Sequence, residues 1–232
     1  MQPAGEAAAR AIYDALAEMA WRGEAHVEQT VVKREANGLT VSFHSDAMSV
    51  CEENADQVCA ALMNAAAMHI RLQNEESFWF EVTVPCVFLE GAPIIEQSAS
   101  TGGDKREKAE DAPLPEWLTT VFQAVKDERE ALYFEDFTPN YEQIGKLADI
   151  YAAVKELSTC MSATFEFTEP KPPHNLHGGV HLKVYGDIHM DKTHLDALLN
   201  VISMARSFGV SNTNDGHIYL SFWINNIYLA KE

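Results

Sequence analysis

The sequence predicts an α+β protein made by tandem duplication: a helix-strand-strand-helix-strand unit occurs twice, with antiparallel sheets, helices packed on one face, and halves related by a pseudo-twofold. Three observations carry this expectation. Residues 39–90 align with residues 180–229 at a spacing of about 140, and an internal repeat of that size decides architecture before any single residue does. The closing strands match position for position, with Phe78, Phe80, Val82 and Val84 falling on Ile218, Leu220, Phe222 and Ile224. Both then slip in alternation, across Pro85-Cys86 and across Asn225-Asn226, which predicts a β-bulge in each.

The first half, residues 1–90, opens with a helix over about 6–22, where Ala8, Ile12, Ala15, Leu16 and Met19 form one apolar stripe and Gly23 ends it. A strand near 27–34 leads through Asn37-Gly38, which suits a tight hairpin, into an alternating strand at Leu39, Val41 and Phe43. The alanine-rich stretch that follows predicts a long helix over about 53–72, with Val58, Leu62, Ala65, Ala66 and His69 near its inner face. A strand starts near Phe78. Residues 91–114 are polar, small and charged, and predict a flexible linker that cannot bury enough apolar surface to order itself.

The second half, residues 115–232, gains an extra helix around 117–125 and a loop or short extended piece over 132–140. A helix over 141–157 is striped by Ile144, Leu147, Ile150, Tyr151 and Val154. Strands follow at 161–168 and 180–185, then a helix over about 191–208, a turn at 211–216 and the closing strand. Asp191 precedes its helix as an N-terminal cap. With the third strand beside the first, each half makes a three-stranded sheet; the halves either join edge to edge into one six-stranded sheet, preferred because it protects the long last strands, or pack face to face as two sheets.

Composition narrows function. Apolar residues are 47% and charged residues 22%, ordinary for a globular chain. The net charge is −18, divided as −9 in residues 1–90 (5 basic, 14 acidic), −2 in 91–114 (3 and 5) and −7 in 115–232 (9 and 16). A surface acidic in both halves repels phosphate, so nucleic acid and anionic membranes are not expected partners. No apolar run reaches the roughly 20 residues of a membrane span, and no secretory signal is evident. Four cysteines without a CxxC pair read as reduced thiols in a cytoplasmic protein.

Candidate sites are few. His174, His177, His181 and His189 form the densest polar series; imidazole suits a divalent transition metal, yet no HExxH accompanies them, and exposed loop histidines are the plain alternative. With Val180, Leu182 and Val184 inward, His181 faces water. Trp79, Tyr219 and Trp223 alternate with core residues and so mark the second face of a sheet, a surface for a partner protein or a second copy of the chain. Phosphate-loop and nucleophile-elbow motifs are missing, so no catalytic residue and no required cofactor is assigned. The sequence therefore predicts a non-enzymatic module that binds a protein or self-associates. The alternatives are a small-molecule or metal-binding protein, possibly an enzyme, using residues 174–194, and an acidic inhibitor of a basic protein.

Overall fold

A computed structural model describes residues 10–12, 14–15, 31–35, 38–45, 47–74, 77–85, 119 and 136–231. The expected linker at 91–114 and the slip at Pro85-Cys86 lie outside the described residues. Of the helices expected at 6–22 and 117–125, the described residues are all helical, and Ile12 and Ala15 of the expected stripe are buried.

The first half contains β1 (Val31–Glu35), β2 (Gly38–Ser45), β3 (Met48–Val50), α1 (Ala55–Leu62), β4 (Ala67–Asn74) and β5 (Ser77–Pro85). The second contains β6 (Phe137–Pro139), α2 (Tyr141–Leu157), a 3-10 turn (Ser158–Cys160), β7 (Ala163–Thr168), β8 (Gly178–Val184), β9 (Ile188–Met190), α3 (Lys192–Ala205), β10 (Phe208–Asn212), β11 (Ile218–Ile224) and β12 (Tyr228–Ala230). The fold is thus a mixture of helices and antiparallel sheets, as expected.

Two expected helices were too long. The first stops at Leu62, and Ala67–Asn74 is a strand in which Met68 and Ile70 are buried while His69 and Arg71 point the other way. Alanine favours helix, but pairing of β4 with β5 on one side and β9 on the other overrides that local preference. The last helix stops at Ala205. Arg206 adopts a left-handed φ of 52°, and Phe208 and Val210 then alternate inward along β10. Each half therefore contains a run of three strands, a helix and two more strands, β1 to β5 around α1 in the first and β7 to β11 around α3 in the second.

The pairing also differs from expectation. β5 lies beside β2, not beside β1. Instead of one six-stranded sheet there are two of five strands, ordered β1-β2-β5-β4-β9 and β7-β8-β11-β10-β3. The outermost strand of each comes from the other half. β9 sits on β4 with Met190 opposite Met68, His189 opposite His69 and Ile188 opposite Ile70. β3 sits on β10 with Val50 opposite Phe208, Ser49 opposite Gly209 and Met48 opposite Val210. These short strands pair edges that a continuous sheet would have had to cover.

The bulge expected at Asn225-Asn226 is instead a corner. Asn226 has φ 57°, the chain leaves the sheet, and β12 pairs with β6. Ile227 is buried there, but Leu229 is exposed.

One core runs through both halves. Phe78, Phe80, Phe208 and Phe222 are its largest fully buried side chains, and Phe208 and Phe222 stack at 5.2 Å. Ile144, Leu147, Ile150, Val154 and Leu157 of α2 face it at helical spacing, and α3 touches both sheets. Truncating Phe222 to Ala should cost about 3–5 kcal/mol in a urea melt, whereas Met63→Ala, at an exposed position, should stay within about 0.5 kcal/mol.

Candidate functional site

The short β9 creates a groove. Its last residue, Met190, pairs with Met68; beyond that point Ala67 has no β9 neighbour, and an open groove of about 630 Å³ follows the step. Thr40, Ala67, His69, Glu81, Thr83 and His189 line it from the first sheet, and Cys160, Asp191 and His194 from the 3-10 turn and the start of α3.

Strand alternation aims the polar groups. On β4, Met68 and Ile70 turn inward, so His69 turns outward; on β9, Ile188 and Met190 do the same for His189. Register then sets His69 opposite Glu81 on one side and His189 on the other. The two imidazoles stack with centroids 3.9 Å apart. His69 Nδ1 lies 3.3 Å from Glu81 Oε2. An ionised carboxylate can only accept, so Nδ1 carries a hydrogen; in the neutral ring Nε2 then keeps its lone pair. That Nε2 is buried without a hydrogen-bond partner, 3.6 Å from Asp187 Oδ2. The ligating atoms of His69, Asp187 and His189 all lie within 4.8 Å of one another, the one such group among the described residues.

His189 is the member of the His174, His177, His181 and His189 series that this cluster takes in. His174 and His177 are exposed around the Lys171–Asn175 bridge. The two ligands that sequence reasoning missed are His69, misread as helical, and Asp187. The signal for His69 was the alternation Met68, Ile70, Leu72 inside the alanine-rich stretch.

A second grouping resembles a hydrolytic triad. His194 Nδ1 is 2.7 Å from Asp191 Oδ1, and its Nε2 is 3.1 Å from Thr159 Oγ1. The Thr159 hydroxyl, however, donates to the Glu156 carbonyl at 2.7 Å, so its hydrogen is committed away from the imidazole and the oxygen is not activated. Asp191 accepts the His194 backbone N–H, which holds its carboxyl below the ordinary value. As expected, it caps α3.

Trp79, Tyr219 and Trp223 fall on outward faces, but of different sheets. Trp79 lies on the first sheet, 5.4 Å from His44 and opposite Arg71. Tyr219 and Trp223 lie on the second sheet and cover His181, at 5.4 and 4.7 Å between centroids. His181 is therefore outward yet only 1% exposed, which corrects the expectation that it faces water. Gly179 makes the space: a Cβ there would sit 2.7 Å from His181 Nε2. Nε2 bonds Thr168 at 2.9 Å, and the Tyr219 hydroxyl donates to Glu166 at 3.0 Å. Burial and that carboxylate push the Tyr219 phenol well above its ordinary value.

Comparison with protein-family models and with curated proteins found no match.

Burial lowers the His181 pKa to about 4. Its unfolded value is near 6.5, so the folded chain refuses a proton that the unfolded chain accepts. The resulting contribution of about 3 kcal/mol is fully present above pH 6.5 and is lost as pH falls toward 4. Urea melts across pH 4–7 should show this acid limb, and His181→Phe should flatten it.

Proposed function

We propose that the chain is a duplicated, strand-exchanged binding module whose ligand is a divalent transition-metal ion, held at the seam between β4 and β9. The observation that carries the metal reading is the open His69–Asp187–His189 cluster with its buried, unpartnered Nε2. Ligands around a four-coordinate ion with bonds of about 2.0–2.2 Å stand about 3.4 Å apart. The 3.6 Å between His69 and Asp187 already fits, and the exposed His189 ring has to close the rest. Glu81 takes the supporting role that a carboxylate commonly has behind a ligating histidine: it fixes the tautomer and raises the basicity of Nε2. Asp187 gives the hard oxygen that a mixed N/O site for zinc or a similar ion uses.

Duplication is supported by position as well as sequence. Met48, Ser49 and Val50 in the second sheet occupy the places of Ile188, His189 and Met190 in the first, and Phe80 and Leu220 likewise correspond. A pseudo-twofold relating the halves follows from that reading. Cys51, Cys59 and Cys160 are thiols, which suits a reducing cytoplasm.

A second reading keeps protein binding or self-association. It is favoured by Tyr219 and Trp223, half-buried side by side above His181. Trp79, on the other sheet, takes no part in it. Light scattering should then give a mass above one chain that Trp223→Ala returns to monomer.

For the metal, equilibrium dialysis of untagged protein against Zn²⁺, followed by elemental analysis and calorimetry, should give one ion per chain. His69→Ala and Asp187→Ala should abolish it, and Glu81→Gln should weaken it about 10–100-fold. A His174→Ala/His177→Ala double variant should bind as the parent does. Substoichiometric zinc, or loss in the double variant, overturns the reading.

A further inference from the structure

We infer that the bound ion is a clasp on one of the two seams where the halves exchange strands, and that it leaves the other seam untouched. This rests on the metal reading above. Each seam is a ladder of three residue pairs, Met68–Ile70 with Ile188–Met190 and Phe208–Val210 with Met48–Val50. A hydrogen bond in such a ladder contributes only about 0.5–1.5 kcal/mol net, so a three-residue edge strand opens locally at low cost. The seams differ at their centres. In one, His69 faces His189; in the other, Gly209 faces Ser49.

The three ligands are divided between the halves. His69 stands on β4 of the first half. Asp187 and His189 stand on the second half, just after Gly186, whose φ of 90° turns the chain from β8 into β9. An ion held by all three is released when β9 lifts from β4, so it binds the closed seam and not the open one. A ligand of that kind lowers the open population by a factor of one plus its concentration over Kd. At a free ion concentration a hundred times Kd, opening of this seam falls about a hundredfold. The Ser49–Gly209 seam has no ligand to respond with, and it acts as a control inside the same molecule.

Hydrogen exchange read by mass spectrometry on the full chain tests this, with Zn²⁺ at a hundred times the Kd measured by calorimetry. Peptides covering residues 186–191 and 67–71 should exchange at least about tenfold more slowly with zinc, and those covering 47–51 and 207–211 should not change. Asp187→Asn, at an exposed position outside the core, should remove the difference without unfolding the chain, and His69→Ala should do the same. Stoichiometric zinc in calorimetry with equal protection at both seams, or at neither, overturns the clasp and leaves the metal site standing. No zinc uptake overturns both.

Discussion

Reciprocal exchange of two three-residue strands is the constraint on which the rest of the structure depends. Without β9, Met68 and Ile70 would end the first sheet at an open edge; without β3, Phe208 and Val210 would do so in the second. Neither half completes its sheet from its own strands. The helices follow the same exchange. Arg206, at the end of α3, reaches Asp56 at 2.9 Å and Glu52 at 3.1 Å near the start of α1. Lys192, at the start of α3, donates to the Met63 carbonyl at the end of α1 at 2.9 Å. These exposed contacts contribute little energy each, so their effect is to fix how the two helices register. The energy comes from the shared core beneath them.

Exchange also decides where chemistry can arise. A seam puts side chains from distant sequence on neighbouring strands at fixed register, which is how His69 meets His189. The outward rows of the two sheets differ. Across the first seam the row reads Glu81, His69, His189; across the second it reads Ser221, Gly209, Ser49. The second sheet carries its histidine one strand over, where His181 faces Ser221 and Glu166 under an aromatic cover. In the first row the histidines reach the groove; in the second the histidine is closed off by packing.

Much of the local structure was legible. The antiparallel pairing of β1 with β2, the strands around Val41 and Leu182, the helix over 141–157 and the Asp191 cap each have a signal within a few residues. What failed was non-local. In residues 53–72 alanines carried the helical pattern past Leu62 and hid the alternation of Met68, Ile70 and Leu72, because strand pairing is settled by β5 and β9 and not by the stretch itself. Burial of His181 depends on Tyr219 and Trp223 from another strand. One of the three ligands was in view: His189 stood out in its histidine-rich segment, Asp187 lay two residues before it in the same segment, and His69 was hidden in the stretch read as helix.

The molecule contains its own comparison for judging the cluster. His194 and Asp191 form a closed histidine–carboxylate pair at 2.7 Å, the separation such groups reach when they bond each other directly. His69 Nε2 and Asp187 stand at 3.6 Å, too far for that bond, although Asp187 is exposed on a turn where a side chain can approach. The other nitrogen of His69 is meanwhile anchored by Glu81, so the ring holds a buried Nε2 beside Asp187 with no hydrogen-bond partner. The spacing is about the distance between two ligands of one small cation, and a second imidazole is stacked alongside, which is what the proposed metal site requires.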